Sequence, residues 1–565
     1  MKSKSIKLNE YFLIFIFSLL FLGLIFRIVH LQIFKREFLQ KFALKQHYKL
    51  IPIKGERGRI FDTRGRLLAT DISVFSVYAD PRSIENKVRA VKLLADILGL
   101  NEKELLDKFN KERDFVWVKR KITLDIKKRI ESLHIKGIGF IEDKMRFYPQ
   151  GELLSHVLGG VNIDNDGIEG LELFYDTELK GKDFSLLVRR DSVSNEIILS
   201  PQDLQSQRGK DIFLTIDAQI QYWVESYLAQ TVKEYSAKGG SVIVMQPFTG
   251  EILALGNYPT YDPNYISSTP LELRRNLAIT DFFEPGSVFK VVTLMASLDK
   301  GFFSLNDKIF CENGKYKIPG SILHDWKPYG HLSFKDVFKK SSNIGVAKIA
   351  NALGKEYFYN YIRKLCFGEK TGVDLPGESS GMVKDLKNWS KTSPYIIPMG
   401  QEIGVTVLQL ARLIASVVNG GYIVKPHVVK RIVGDKGFTK EIQLESEEIV
   451  SSKITNRAKE ILVEVVEEGT GKLAKIDGLT VGGKTGTAQK FDFQLGRYSE
   501  DAHRASFVGF VEKDSLCFVI CVTIDEPQNV HLGGVVAAPL FKKIAQNLID
   551  YQNAVVKEVV SLPLQ

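Results

Sequence analysis

Cysteine is scarce, at four in 565 residues. Cys311, Cys366, Cys517 and Cys521 show no C-x-x-C spacing and no neighbouring histidine pattern, which excludes the common zinc and dithiol motifs. Cys517 and Cys521 lie four apart in a stretch of strand character, so their Cα atoms stand roughly 13 Å apart, beyond disulfide reach. All four read as small apolar fillers, and no metal site is expected. Blocks of like charge are also lacking. Lys and Arg total 77 against 67 Asp and Glu, a net charge of +10, but the basic residues are scattered among the acids. That pattern argues against nucleic acid as a partner and fits a surface near an anionic membrane or polymer.

At 565 residues, 44% hydrophobic and 25% charged, the chain is globular and too long for one ordinary core, so two or more domains are expected. A long apolar run stands at the N-terminus: YFLIFIFSLLFLGLIF from Tyr11 to Phe26, then Arg27 and IVHLQIF to Phe34. A membrane span needs about 20 apolar residues, a length reached here if Arg27 snorkels or meets a partner. No small-residue cleavage site follows, which argues against a removable signal peptide. Lys2, Lys4 and Lys7 precede the run, so the N-terminus is expected in the cytoplasm and everything from Lys35 onward outside it. The expected divisions are a tail at 1–10, a transmembrane helix at 11–34, a non-catalytic module at 35–208, a second module at 209–553 and a tail at 554–565.

The first module opens with extended pieces and turns around GERGRIFDTRGRLLATDISVFSVYADP, then becomes helical. Val91, Leu94, Ala95 and Leu98 make one stripe ended by Gly99, and Asn101 with Glu104 has the form of a capping box. It carries no catalytic constellation, and His134 and His156 read as packed rather than liganded. In the second module, GSVIVMQPFTGEILALGNYP reads as two strands after a helix, and RASFVGFV and SLCFVICVTID as two more before a helix striped with Val536, Leu540, Ile544 and Leu548. Strands from both ends with a helical middle predict an α+β module, one sheet covered by helices.

Three short patterns carry chemistry. In EPGSVFK, a helix starting after Pro285-Gly286 puts Ser287 at its N-terminus and Lys290 one turn on, a nucleophile with a base beside the positive end of the helix dipole. Ser341-Ser342-Asn343 offers a hydroxyl for proton relay and an amide suited to a peptide bond. In Gly483-Lys484-Thr485-Gly486-Thr487, Thr485 and Thr487 share a strand face suited to a carboxylate, and Gly486 allows close backbone approach. Parity puts Lys484 on the other side, so it contributes only from a sheet edge. The first pattern is read as the sole S-x-x-K of the chain, whereas the other two have decoys or rivals. Ser304-Leu305-Asn306 repeats the second, and Lys370-Thr371-Gly372 repeats the third in a loop-like context. Gly478 to Thr485 satisfies the phosphate-loop pattern, yet lacks the strand before and helix after that such a loop needs.

In the order S-x-x-K, S-x-N, K-T-G, the patterns resemble the serine acyl-transferases that include penicillin-binding proteins and β-lactamases. RGRIFDTRGRLLA and RFYPQGELLSHVLGGVNIDNDGIEGLE resemble the pedestal, and EPGSVFK, SSNIGVAKIA, NGGYIVKPHVV, GGKTGTAQK and ASFVGFV the transpeptidase, of a class B penicillin-binding protein, most like the cell-division type. The resemblance implies one transmembrane helix, an elongated pedestal and a serine β-lactamase-like antiparallel sheet covered by helices. It implies no metal and no cofactor. It assigns Ser287 as nucleophile, Lys290 as base, and Ser341 and Lys484 as proton carriers. Asn343, Thr485, Gly486 and Thr487 would bind the substrate, with the backbone N–H groups of Ser287 and Thr487 holding the oxyanion. The implied substrates are peptidoglycan stem peptides and their lipid-linked precursor polymer, with β-lactams as inhibitors. The implied partners are a membrane glycosyltransferase of the shape, elongation, division and sporulation family and other division proteins. An elongation-type transpeptidase, or a D,D-carboxypeptidase or β-lactamase-like hydrolase, is the alternative. One departure is Glu402 in MGQEIGVT, where the family leads one to expect glycine.

Overall fold

The computed structural model describes residues 2–36, 48–53, 55–111, 115–182, 184–190, 196–198, 208–434, 437–492 and 497–561. They form two compact units, Met1–Glu56 with Gly181–Arg208, and Arg57–Lys180 with Gly209–Gln565. The first holds the apolar helix Lys2–Val29, which widens into a π-helical turn at His30–Phe34. Its stretch Tyr11–Phe34, of mean hydropathy 2.8, is long and apolar enough to cross a membrane. The same unit contains an antiparallel sheet of Tyr48–Ile53, Phe184–Arg190 and Glu196–Ile198.

In the second unit a seven-stranded sheet begins with Ile60–Phe61, Leu67–Ala79, Val116–Ile122 and Ile138–Phe147. Asp211–Leu214 pairs parallel with Ile60–Phe61 and antiparallel with Val429–Val433, so strands from both sides of residue 208 share this sheet. Its wall is braced by buried charge. Arg57 Nε and Arg146 Nε each donate to Glu172 at 2.6 Å, and neither arginine nor the glutamate is more than 4% exposed. Removing Glu172 would leave two buried guanidinium groups each with only one carboxylate, Asp176 for Arg57 and Asp71 for Arg146, a loss of buried charge compensation that destabilises the wall. The helix Lys87–Leu98 ends at Gly99, φ 64°, and Asn101 Oδ1 accepts from the N–H groups of Lys103 and Glu104 to start the next. His156 is buried, its Nε2 meets Leu273 O at 2.9 Å, and burial pushes its pKa down to about 4. His134 is exposed rather than packed.

The rest of this unit is built on a five-stranded antiparallel sheet: β1 Gly239–Met245, β2 Ile252–Tyr258, β3 Thr480–Asp492, β4 Arg497–Lys513 and β5 Leu516–Asp525, in the order β2-β1-β5-β4-β3. Five helices matter for the site: α1 Ala218–Glu234, α2 Lys290–Lys300, α3 Asn343–Leu353, α4 Val407–Val418 and α5 Gly533–Ser561. β1 is buried along its whole length because both of its faces are covered. Val242 and Val244 pack in a core with residues of α1 and α5. Ile243 and Met245 alternate with them into the core that holds α2 and α4. Cys521 is part of that second core, and Cys311 and Cys517 are buried too, as filler residues would be. Lys370-Thr371-Gly372 lies in a loop where Glu378 Oε1 accepts from Thr371 N and Oγ1, both at 2.6 Å. The phosphate-loop pattern runs into the middle of β3, with no helix after it.

Candidate active site

α2 is entered through a tight turn, Gly286–Phe289, which places Ser287 at the N-terminal end of the helical stretch. Gly286 takes φ 54°, a left-handed value that glycine reaches without strain, and its N–H donates to Gly400 O at 3.1 Å. Val288, Phe289 and Val292 are wholly buried, so the turn is clamped by core packing while Ser287 stays half exposed. Contrary to the expectation that S-x-x-K occurs once, α2 contains a second, Ser297 to Lys300, which the sequence pattern alone does not tell apart from the first. There the serine hydroxyl is spent on Leu294 O at 2.9 Å and Lys300 is exposed.

Lys290 is completely buried. Its Nζ donates to Ser341 O at 2.8 Å, Ser341 Oγ at 3.2 Å and Asn343 Oδ1 at 2.7 Å. Lys484 Nζ, 1% exposed, reaches the same Ser341 Oγ at 2.9 Å from the opposite side and Thr485 O at 3.2 Å. One hydroxyl therefore joins two lysines. Burial, reinforced by the neighbouring Lys484, holds Lys290 well below the usual lysine range, and burial pushes Lys484 down to about 7. Both amines are thus biased toward the neutral form that can accept a proton. Among the described residues Ser287 Oγ has no hydrogen-bond partner, a looseness common in catalytic groups before substrate arrives.

β3 is the sheet edge that Lys484 requires. Lys484 faces Ser341, and Gly486 faces the turn that carries Ser287. A Cβ on Gly486 would lie 2.7 Å from Val288 Cγ2 and 3.0 Å from Pro285 O, so only glycine lets the strand lie against the Ser287 turn. Thr487 O lies 3.4 Å from the position of a Cβ on Gly286, which sets the Thr487 backbone beside the serine. Thr485 and Thr487 occupy the other face. Thr485 Oγ1 pairs with Thr470 Oγ1 at 2.8 Å, and Thr487 Oγ1 accepts from Gly533 N at 3.0 Å, which leaves the Thr487 hydroxyl proton free to donate.

Ser341 sits at φ 57°, a strained value for serine that turns its hydroxyl between the lysines. Asn343 Nδ2 donates to His324 O at 2.9 Å, so its amide keeps one hydrogen and one lone pair for a substrate. Sequence reasoning missed Asp325, which organises this corner. Its carboxylate accepts from Ser342 Oγ at 2.6 Å and from the N–H groups of Asn343 at 2.5 Å and Ile344 at 3.1 Å, an anion at the N-terminus of α3. It also opposes the lowering of the Lys290 pKa. Nothing in HDWKPYG marks that role, since it depends on a hairpin turn that brings Asp325 to α3. Glu284 was missed as well. Its Oε1 accepts from Glu402 N at 2.7 Å and Tyr498 Oη at 3.0 Å, tying the loop before Ser287 to two neighbours, and burial raises its pKa. Glu402 takes φ 56°, which explains why glycine suits this position, and Ser393 Oγ holds its carboxylate at 2.6 Å.

A nucleophile at a helix start, two depressed lysines sharing a serine, and a Lys-Thr-Gly-Thr edge strand define a serine acyl-transferase site. The profile of the penicillin binding protein transpeptidase domain matches residues 240–546, and that of the penicillin-binding protein dimerisation domain matches residues 52–214. The chain belongs to the penicillin-binding protein transpeptidases, and this domain pairing makes it a class B member. It is 34% identical over 548 residues to Stage V sporulation protein D of Bacillus subtilis, covering 94% of this chain and 84% of that protein. It is 30% identical over 536 residues to the peptidoglycan D,D-transpeptidase FtsI of Escherichia coli, covering 93% and 89%. The crystal structure of penicillin binding protein 3 from Mycobacterium tuberculosis, complexed with aztreonam, superposes with a TM-score of 0.70 at 27% identity over 89% of this chain and 97% of that one.

Proposed function

We propose that this chain is a peptidoglycan D,D-transpeptidase that cross-links stem peptides through an acyl-enzyme on Ser287, in septal wall synthesis during division. The observation that carries the chemistry is Ser341 Oγ held at 3.2 Å and 2.9 Å by two buried lysines. Neutral Lys290 takes the Ser287 proton, and Ser287 Oγ attacks the carbonyl of the penultimate D-alanine. The oxyanion forms against the backbone N–H groups of Ser287 and Thr487. Lys290 passes its proton through Ser341 and Lys484 to the leaving nitrogen, and the terminal D-alanine departs. An amine of a neighbouring stem then attacks the ester, forming the cross-link and releasing Ser287. Asn343 binds the donor stem, Gly486 lets its backbone lie on β3, and Thr485 and Thr487 hold its terminal carboxylate.

In this reading residues 35–208 are the pedestal and 209–553 the catalytic domain, outside the cytoplasm, with the 11–34 helix anchoring them and residues 1–10 inside. The relatives named for D,D-transpeptidation support the reaction, and the likeness to FtsI supports the division role. Peptidoglycan precursor polymer, a membrane glycosyltransferase of the shape, elongation, division and sporulation family and division proteins are the expected company. β-Lactams should be trapped on Ser287. A fluorescent penicillin tests the chemistry: a stable covalent label on the wild type that disappears in Ser287→Ala supports it. No label, or a label unchanged in the variant, refutes the acyl-enzyme, and rapid turnover points to a hydrolase. Depletion with microscopy tests the role, since filaments support division and round cells would assign the chain to elongation.

A further inference from the structure

Beside the site stands an aromatic surface that the acyl-transfer chemistry does not use. Trp326 is 62% exposed, yet its ring is not free to swing, because Nε1–H donates to Lys340 O at 3.1 Å, on the residue that precedes Ser341. Asp325, next to it in the chain, is fastened to the N-terminus of α3. The same dipeptide thus braces the catalytic corner with one side chain and presents a fixed indole with the other. Tyr329 meets the indole edge to face, with centroids 6.4 Å apart. Lys327 Nζ lies over one face of the Trp326 ring, 4.4 Å from its centroid, and Lys340 Nζ over that of Tyr329, itself half-buried against the core, at 5.9 Å. A large aromatic left in water with a pinned orientation is placed to meet a ligand rather than to fill a core.

We infer that Trp326 and Tyr329 form a stacking platform for the sugar rings of the glycan strand that carries the donor stem. The inference rests on the proposed D,D-transpeptidase reading. A stem of about four residues spans roughly 13 Å when extended, so a peptide whose reacting carbonyl lies at Ser287 brings its muramyl sugar to the rim of the same cleft. Trp326 is one hydrogen bond and one peptide link from Ser341, within that reach. A pyranose ring offers a flat C–H face to an indole, and its acetamido and lactyl amide oxygens suit the nearby ammonium groups. The two lysines argue against a protein partner here, because interface centres are depleted of lysine.

The test uses the full-length chain in detergent and soluble, peptide-free glycan oligomers of alternating N-acetylglucosamine and N-acetylmuramic acid, labelled at the reducing end and followed by anisotropy. Active molecules are counted by fluorescent penicillin. Trp326→Ala should raise the glycan Kd about tenfold, the loss expected for one aromatic stack. Trp326→Phe, which keeps a ring, should raise it less than threefold. Equal glycan Kd in the wild type and Trp326→Ala, or equal loss in the Ala and Phe variants, would overturn the platform. So would a wild type that takes penicillin but binds no glycan, or that captures a protein at Trp326 without glycan affinity. A wild type that takes no penicillin instead refutes the transpeptidase reading, whatever it does with glycan.

Discussion

Replacing Lys484 by methionine should stabilise the chain near pH 6 and destabilise it near pH 10. Lys484 is buried to 1% exposure and held at about 7 instead of 10.5. The difference, 10.5 − 7, makes burial of the charged form cost about 5 kcal/mol, at about 1.36 kcal/mol per pH unit. Below pH 7 the folded and unfolded chains both carry the proton, and the whole penalty weighs on the folded state. Between pH 7 and 10.5 only the unfolded chain keeps it, so stability rises with pH. Above 10.5 neither is charged and the penalty is gone. Methionine occupies the same channel without charge but forfeits the bonds to Ser341 Oγ and Thr485 O, about 1 kcal/mol each. The variant therefore gains about 3 kcal/mol near pH 6 and, because a little under about 1 kcal/mol of the penalty still remains near pH 10, loses about 1 kcal/mol there. At about 2–4 °C per kcal/mol the gain near pH 6 raises Tm by roughly 6–12 °C. Thermal unfolding of the full-length chain in detergent, followed by tryptophan fluorescence at both pH values, reads it. A Tm difference that is the same at pH 6 and pH 10, or a variant that melts earlier at pH 6, would refute the claim that burial sets the charge of Lys484.

Three further outcomes follow from the same geometry. The second-order rate of Ser287 acylation by penicillin should be nearly flat from pH 7 to 9, because Lys290 is held well below the usual lysine range, and fall below pH 7 as Lys484 protonates; a tenfold rise per unit above pH 7 would mean an ordinary lysine base. Gly486→Val drives a side chain into Val288 and Pro285 and should slow acylation by about 100-fold, while a rate within threefold of wild type would show that β3 does not gate the Ser287 turn. Glu402→Gly relieves a left-handed φ of 56°, worth about 1 kcal/mol, and keeps the N–H that Glu284 accepts. Its Tm should match or exceed that of the wild type with penicillin labelling retained, and a loss of labelling would assign the Glu402 side chain a part in the cleft.

What the sequence disclosed, and what it concealed, follows from the range of the interactions. Features set within a few residues were legible: the stripe ended by Gly99, the four strands of β1, β2, β4 and β5, the helix begun at Ser287, and the parity that separates Lys484 from Thr485 and Thr487. Parity posed a question that only the sheet order answers, because whether a strand is an edge depends on its neighbours and not on its own residues. The shared sheet is a second case, since Ile60–Phe61 shows no two-residue periodicity that would pair it with Asp211–Leu214. The active-site corner is the third. Asp325 acts on Asn343 across 18 residues and Thr470 on Thr485 across 15, and in each pair the first residue lies in a loop or turn outside the element it acts on, so no single helix or strand carries a repeat from one to the other. The same reasoning explains the two S-x-x-K patterns of α2. Both place serine and lysine one helical turn apart, so local geometry treats them alike. What separates them is contact from elsewhere in the fold: Ser341 and Lys484 converge on Lys290, whereas Lys300 remains in solvent. The chemistry thus belongs to the meeting of three segments, and a change in any of them, including residues that never touch substrate, should alter the charge on Lys290.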